Sequence, residues 1–248
     1  MVVSDEFSFN GKSSLETNIY IVTFDDEILM EKGIPFEKNI SPLDNYSQLN
    51  PMFQYEESEP EDVILNLIYM IDGIPMEWSN EKIIDVKKWL VTDYFAEFIT
   101  QDNPEYKYYL QCKKIQNKMT INGIGVLECT FTPLSHFAYK HLQNRFYSSQ
   151  RNINIDNPSI YDYKPIITIK NLGDKQTINK IGSIEIVGLE YNEIVTIDNL
   201  MLTVINSSGT NRFNTCNRKW ITLTPGRNSL SISGNCEIEI LCEYPIIL

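Results

Sequence analysis

The stretch WITLTPGRNSLSISGNCEIEILCEYP, Trp220 to Pro245, indicates the fold of the second half of the chain. Cys236, Ile238 and Ile240 would share one face of a strand, and glutamates at 237, 239 and 243 would share the other. Such period-2 alternation is typical of strands with one face in a core and one in solvent. The stretch therefore predicts a sandwich-type sheet protein, with nothing reactive on either face.

Turn residues divide this half into short strands. Pro225–Gly226 predicts a type II turn, and Gly234–Asn235 predicts a two-residue β-hairpin. Upstream, PIITIKNL, SIEIVGL and EIVTIDNLMLTVIN have the same texture and no helical period. Short alternating strands over about 100 residues are typical of a β-sandwich. From Arg145 to Tyr163 the chain is polar and Asn-rich. We place a domain boundary near residue 145 and expect this domain to span 146–248.

The first domain, 1–145, is expected to be a β-domain with one α-helix. The run from Glu61 to Gly73 predicts a strand buried on both faces, and EYKYYLQCKK and GIGVLECTFTP predict two more strands. In WSNEKIIDVKKWLV the apolar residues follow a helical period, and Ser79 can accept a main-chain N–H at the start. The pattern predicts a helix over about 80–91.

The segment 38–60 has a different texture, with three prolines and no clear period. Its large apolar side chains are more than a disordered linker normally carries. We interpret it as a long loop or extended arm that packs against another subunit. Its candidate subunit-interface residues are Leu43, Tyr46, Met52, Phe53 and Tyr55.

Composition limits the possible functions. The 248-residue chain has a net charge of −12, which argues against binding nucleic acid through its phosphates. No secretory signal and no apolar run long enough for a membrane helix is found, so no membrane insertion is expected. The five cysteines lack a C-x-x-C pair and are expected to be small buried residues.

No motif for catalysis, a cofactor or a metal is found. His136 and His141 are the only histidines, and no Glu or Cys nearby completes a ligand set. A glycosidase-type carboxylate pair stays a weak alternative, because most carboxylates alternate outward on strands. A two-domain β protein that binds cell-surface carbohydrate is the main alternative. Galectin-type motifs are displaced, however, with Asn144 one place late and no Glu three residues after Trp220.

The order of segments resembles that of the distal tail proteins of long-tailed phages and phage-like tails. The segments are FSFNGKSS, KKWLVTDYFAEFITQDNPEYKYYLQC and GIGVLECTFTPLSHFAY, followed by IDNPSIYDYKPIITI, EIVTID and WITLTPGRNSLSISG. The resemblance covers nearly the whole chain and is weakest between Glu27 and Pro60. It carries no catalytic, metal or cofactor residues onto this sequence.

The resemblance implies a structural virion protein. The first domain would build a homo-hexameric hub ring, and the second would be a galectin-like β-sandwich facing outward. The ring would join the tail tube protein to the tail-associated hub protein, with receptor-binding or baseplate proteins attached, and DNA would pass through it without specific binding. The protein would be made in the host bacterial cytoplasm and would reside at the virion tail tip.

Overall fold

Two units divide the chain by their internal contacts. The computed structural model describes residues 6–22, 34, 38–42, 53–57 and 59–247, with only the backbone described in 38–42 and 53–57. One unit is Met1–Ala138 with Ile247–Leu248, and the other is Tyr139–Ile246. The boundary expected near residue 145 falls inside the strand Ala138–Tyr147. The prediction of a mainly β chain is confirmed.

The first unit is an antiparallel sheet with a helix. Its strands are β1 Phe7–Phe9, β2 Lys12–Ser13, β3 Ile19–Val22, β4 Lys38–Pro42, β5 Phe53–Glu57, β6 Val63–Ile71, β7 Ile74–Pro75, β8 Ala96–Thr100, β9 Tyr106–Met119 and β10 Gly125–Pro133, its helix is α1 Asn80–Leu90, and a 3₁₀ turn spans Leu15–Thr17. The main sheet has the order β3-β6-β10-β9-β8-β1-β2, and β7 pairs with β6.

Helix α1 forms where the sequence predicts it. The Ser79 side chain caps it by accepting a hydrogen bond from the Lys82 main-chain N–H at 3.1 Å. Val86, Trp89 and Leu90 are its buried residues and belong to the core of the unit. The Trp89 indole N–H also donates to the Phe9 carbonyl oxygen at 2.9 Å, which joins the helix to β1.

Strand β6 is less buried than its sequence suggests. Leu65 and Leu67 lie in the core, but Ile64, on the other face, is 53% exposed. The prediction of burial on both faces is therefore wrong. The apolar run in the sequence had indicated a strand buried on both faces, whereas only one face of β6 contributes to the core cluster of this unit.

The second unit is a β-sandwich, as predicted. Its strands are β11 Ala138–Tyr147, β12 Asn152–Asn157, β13 Ile166–Asn171, β14 Asn179–Ile181, β15 Ile184–Ile186, β16 Ile194–Asp198, β17 Thr203–Asn206, β18 Gly226–Ser233 and β19 Cys236–Ile246, with a 3₁₀ turn at Phe213–Thr215. One sheet has the order β17-β16-β13-β19-β11, and the other has the order β12-β18-β14-β15. Inward-facing isoleucines of both sheets fill the core between them. The segment Asn152–Asn157, expected to be part of a polar junction, is a strand that buries Ile153 and Ile155.

The turn at Gly234–Asn235 does not close a hairpin, so that prediction is wrong. Strand β18 pairs with β12 and β14, whereas β19 pairs with β13 in the opposite sheet. The turn therefore carries the chain from one sheet to the other. The alternation of apolar and polar residues determines which residues of each strand face the core. The same alternation is expected whether the two strands pair in one sheet or lie in opposite sheets, so it could not distinguish the two arrangements.

Candidate assembly surfaces

The arm proposed from the sequence is described only in part. Of its candidate residues, Leu43, Tyr46 and Met52 lie outside the described residues, and for Phe53 and Tyr55 only the backbone is described. Strands β4 and β5 pair in antiparallel register from Lys38 opposite Glu57 to Pro42 opposite Phe53. The two ends of the segment thus form a regular two-stranded ladder, where the sequence had indicated no period.

Exposed aliphatic side chains gather at one end of the main sheet of the first unit. The β6–β7 hairpin and the β9–β10 hairpin end at this same edge, because Ile68 of β6 lies opposite Val126 of β10 in antiparallel register. We call the resulting surface the hairpin-tip patch; its members are Ile71, Ile74, Met76, Ile121 and Ile124.

Both hairpin tips are held by main-chain and indole hydrogen bonds. Asp72 and Gly73 have φ of 51° and 76°, the left-handed conformations that a tight two-residue hairpin needs. The Trp78 main-chain N–H donates to the Gly123 carbonyl at 3.0 Å, and its indole N–H donates to the Gly125 carbonyl at 2.9 Å. The segment that leaves β7 is thereby attached to the tip of the neighbouring hairpin.

A second apolar surface lies on the turn between β16 and β17. Leu200 is 65% exposed and Met201 is 69% exposed, and Leu202 beside them is also exposed. We call residues Asp198–Leu202 the Leu-Met-Leu turn. An Asp198 carboxylate oxygen accepts hydrogen bonds from the Leu200 and Met201 main-chain N–H groups at 2.8 and 2.9 Å.

A buried asparagine fixes this turn to the body of the sandwich. The Asn199 side-chain N–H donates to the Pro165 carbonyl at 2.6 Å, and its side-chain oxygen accepts from the Ile221 main-chain N–H at 2.7 Å. Asn199 is completely buried, so both bonds form away from water. The three exposed apolar side chains therefore stand on a rigid support.

Formal charge is distributed unequally between the units. The second unit, Tyr139–Ile246, contains 11 Lys and Arg against 10 Asp and Glu. The remaining 10 basic and 23 acidic residues belong to the first unit, which therefore carries the whole net negative charge of the chain. The acidity of the chain is thus a property of one unit alone.

A charged face covers the outer side of the β16-β13-β19-β11 sheet. Arg145 of β11 contacts Glu237 at 3.2 Å and Glu239 at 3.1 Å, and the Gln143 side chain donates to Glu239 at 2.6 Å. Hydrogen bonds from Gln143 and Arg145 lower the pKa of Glu239. A cleft of about 260 Å³ lies beside these groups, lined also by Thr168, Lys170 and Ile194.

The residues weighed for galectin-type sugar binding do not form one site. Asn144 is exposed on β11, whereas the Trp220 ring packs beside Phe213 with centroids 6.2 Å apart. His141 lies 3.5 Å from Glu243 on the charged face, and His136 is buried in the first unit. Within the described ranges, no group of three or more His, Cys, Asp or Glu side chains is placed to hold a metal ion.

The cysteines lie mostly in the cores. All five are free thiols, and all but Cys112 are buried. Burial raises the pKa of Cys236 and of Cys242 to about 11, so both stay protonated at neutral pH. In the part of the chain that the structure describes, no helix is both long enough and apolar enough to cross a membrane.

Neither apolar surface was predicted from the sequence. The run Leu200–Leu202 was assigned to a strand, and Ile121 lies just outside the strand predicted for GIGVLECTFTP. The available clue was a set of large aliphatic residues beside turn-forming Asp, Asn and Gly, where polar residues are usual.

Family comparisons agree with a structural protein of phage tails. Residues 2–133 match a family described as the phage tail protein N-terminal domain, and residues 137–242 match one described as the phage tail C-terminal domain. The chain belongs to this family of phage tail proteins. It is 23% identical over 256 residues to the SPbeta prophage-derived uncharacterized protein YomH of Bacillus subtilis (strain 168), with 97% of each chain covered.

Solved structures define the fold more closely. The crystal structure of the Dit protein of phage SPP1, described as a paradigm of the hub adsorption apparatus in phages that infect Gram-positive bacteria, matches with a TM-score of 0.65. Identity is 11%, and the match covers 96% of this chain and 98% of that one. A chain of the phage p2 baseplate, in its activated conformation with Sr, matches with a TM-score of 0.50 at 10% identity, covering 96% and 97%. The resemblance to distal tail proteins is thus confirmed, and the two solved structures are of a phage hub protein and of a phage baseplate.

Proposed function

We propose that this chain is a distal tail protein that forms a hexameric hub ring between the tail tube and the host-adhesion apparatus. The observation that carries the proposal is that the likeness to SPP1 Dit extends over 96% of the chain and so includes both units. A protein that shared only the β-sandwich with SPP1 Dit would match over the second unit and not over the first. The family match over both units gives independent support.

The division of labour follows from the two units. The first unit, with helix α1 and the arm around 38–60, would build the ring, and the sandwich would project outward and meet peripheral proteins. Leu43, Tyr46, Met52, Phe53 and Tyr55 remain the arm residues proposed to contact a neighbouring copy. Its partners would be the tail tube protein, the tail-associated hub protein, and receptor-binding or baseplate proteins. The completed ring would reside at the virion tail tip after synthesis in the bacterial cytoplasm.

The mass of the assembly tests this proposal. Multi-angle light scattering of the full chain, alone and with its phage's tail-associated hub protein, should give a species of six copies. Negative-stain electron microscopy of that species should show six-fold rings with a central channel. Two results together would refute the hub assignment. The chain would stay monomeric under both conditions, and purified tails that lack this protein would fail to take it up.

A further inference from the structure

Strand β12, Asn152–Asn157, forms one edge of the β12-β18-β14-β15 sheet. We propose that the outer edge of β12 docks against β12 of a second copy of this chain, so that two sandwiches join through one continuous antiparallel sheet about a twofold axis. The contact goes beyond the hub function, because neighbours in a ring meet through unlike surfaces, whereas this contact joins identical ones. It lies entirely within the second unit.

The edges of β17 and β15 are covered by one segment, residues 210–217. The Arg212 main-chain N–H donates to the Val204 carbonyl oxygen of β17 at 2.7 Å, and the Asn217 main-chain N–H donates to the Glu185 carbonyl oxygen of β15 at 2.9 Å. Covering an edge in this way prevents another strand from pairing with it.

The hydrogen bonds of β18 show which main-chain groups of β12 point outward. The Ile232 main-chain N–H donates to the Arg151 carbonyl oxygen at 2.7 Å, so this pair bonds across the two strands. The Ser231 carbonyl oxygen instead accepts from the Gly182 main-chain N–H at 2.8 Å, on the side away from β12. Because main-chain groups alternate in direction along a strand, those of Asn152, which lies opposite Ser231, point away from β18.

The same alternation gives β12 three outward-pointing residues, Asn152, Asn154 and Asp156. No main-chain bond from another described segment reaches their N–H and C=O groups. Their side chains are exposed, whereas Ile153 and Ile155 between them are buried. A strand that extends this sheet must therefore place apolar side chains inward and polar side chains outward. Strand β12 itself has that pattern.

Buried hydrogen bonds hold the end of this edge in place. The Asn157 side-chain N–H donates to the Tyr161 and Leu223 carbonyl oxygens at 2.9 and 3.0 Å, and its side-chain oxygen accepts from the Ser159 main-chain N–H at 2.9 Å. Pro158 has no main-chain N–H and so ends the run of outward donors. An edge that is ordered before pairing loses little conformational entropy when a second strand docks.

Charge selects the register in which two copies of β12 fit each other. In an antiparallel pair centred on Asn154, Asn152 of each copy lies opposite Asp156 of the other, where the amide can donate to the carboxylate. The two carboxylates are then about 13 Å apart, at about 3.3 Å per residue, and salt screens their repulsion. A register that places the two carboxylates opposite each other is disfavoured by like charge.

The same register also aligns the apolar side of both strands. Ile153 of each copy lies opposite Ile155 of the other, so the row of core side chains continues across the contact. The three outward-pointing residues of each strand form about six main-chain hydrogen bonds across the axis. A contact of one short strand per copy is small, so we expect a weak dimer that is populated at high protein concentration.

Cysteine cross-linking tests the register. In the proposed dimer the two residues at position 154 face each other with Cα atoms about 5.5 Å apart, which is within the range of a disulfide. With oxidised glutathione as the oxidant, Asn154→Cys should therefore form a disulfide-linked dimer that reduction reverses. Asn152→Cys alone should not, because its two copies are about 13 Å apart. Mixed with Asp156→Cys, however, it should form the mixed disulfide.

Two controls measure cross-linking by random collision. Thr196→Cys places a thiol on the exposed outer face of β16, in the other sheet. The wild type contains only the five native cysteines, of which all but Cys112 are buried. Both controls should cross-link much more slowly than Asn154→Cys. Equal rates for Asn154→Cys and Thr196→Cys would overturn the proposal, and so would the absence of the mixed disulfide.

A lysine substitution tests the contact without a covalent bond. Asn154→Lys would place two ammonium groups opposite each other at the twofold axis, so sedimentation equilibrium should show the dissociation constant of the dimer raised at least about tenfold. Thr196→Lys adds the same charge to the other sheet and should leave this constant unchanged. Equal constants for the two variants would contradict the contact. Calorimetry should show both to be folded, because replacing exposed side chains changes stability little.

The same measurements separate this contact from the hub assignment. At high concentration the wild type should form pairs of monomers or pairs of rings, whereas Asn154→Lys should stop at the single monomer or the single ring. If Asn154→Lys loses the rings themselves, the edge belongs to the ring and the twofold contact is refuted. A wild type that never pairs also refutes it. A wild type that pairs through β12 but forms no ring and joins no tail would refute the hub function and leave this contact standing.

Discussion

Asn179 and Asn171 bond to each other inside the sandwich, where both side chains are completely buried. The Asn179 side-chain N–H donates to the Asn171 side-chain oxygen at 2.8 Å. Asn171 also donates to the Leu189 carbonyl at 2.9 Å, and Asn179 accepts from the Asn235 main-chain N–H at 3.1 Å. This pair therefore ties the turn between the two sheets to the loop that follows β13 and to the main chain at Leu189, before β16.

Replacing Asn179 should destabilise the second unit. In Asn179→Ala the buried hydrogen bond to the Asn171 side chain is lost, together with the bond to the Asn235 main-chain N–H, which costs about 1–3 kcal/mol. Asn154→Ala is the control, because Asn154 is exposed on β12 and its loss should change stability by less than about 0.5 kcal/mol. Calorimetry of the full-length chain measures both; equal unfolding temperatures for the two variants would contradict the structural role of the pair.

Gly234 should tolerate alanine less well than Gly209, although both have positive φ, 105° and 80°. A Cβ at Gly234 would lie 2.6 Å from the Ile178 carbonyl oxygen, whereas one at Gly209 would have no atom within 4 Å. Both variants are destabilised because alanine disfavours a positive φ. Gly234→Ala should lose about 1–3 kcal/mol more of the free energy of unfolding, because its Cβ is overpacked. Urea unfolding of the two variants measures the difference. If Gly209→Ala is less stable than Gly234→Ala, the turn at Gly234 is not as tightly packed as the structure indicates.

Glu193 should make stability depend on pH below neutrality. Burial, the largest single effect, raises its pKa, but hydrogen bonds from Asn206, Arg212 and the Glu190 main chain together hold the pKa below its ordinary value of 4.5. Folding thus favours the ionised form of Glu193. Its contribution to stability is complete above the ordinary pKa and is lost as pH falls through the pKa of the folded state. The stability gap between wild type and Glu193→Gln should therefore be constant near neutrality and shrink under acid.

The matched control for this pH effect is Glu190→Gln. Glu190 pairs with Lys175 on the surface, where both side chains are more than half exposed, and such pairs contribute little. Urea midpoints of the three proteins between neutral and acid pH provide the measurement. If the stability difference between wild type and Glu193→Gln widens on acidification, the pKa of Glu193 is not lowered by folding.

Deleting Asn39 to Glu59 should prevent ring assembly and leave both units folded. The segment carries the apolar residues proposed to contact a neighbouring copy, and its two ends pair with each other through β4 and β5. Calorimetry should retain the unfolding transitions of both units, while light scattering should lose the six-copy species. Rings formed by the deletion variant would show the arm to be dispensable, and an unfolded variant would place the segment in the core of the first unit.

Moderate salt should favour assembly. The first unit contains 23 acidic and 10 basic residues, so copies brought together in a ring repel each other. At physiological ionic strength repulsion beyond about 8–10 Å is screened, while charge pairs in direct contact are screened less. The dissociation constant should fall between low and physiological salt, and acidic side chains should outnumber basic ones along the central channel. Rings that fall apart as salt rises, or a channel lined mostly by Lys and Arg, would contradict this.

Local features of the fold were readable from the sequence because they depend on neighbouring residues. Helix α1 and its cap at Ser79 follow from the spacing of apolar residues and one hydroxyl. The positive φ of Gly226 agrees with the predicted turn. The partner of β19 was not readable, because it pairs with β13, whose residues are far away in the sequence, as Ile169 opposite Ile238 shows. The two apolar assembly surfaces escaped prediction for the same reason: exposure of Ile121 or Leu200 is set by the whole fold.

The position of β19 has a consequence for the order of folding on the ribosome. This strand lies between β13 and β11, although it is the last strand of its unit to be synthesised. Until Cys236–Ile246 emerge, the strands that will flank β19 have no partner on that side. The sandwich therefore cannot close while its earlier strands are being made, and a nascent chain stalled before residue 236 should present two unpaired strand edges to chaperones.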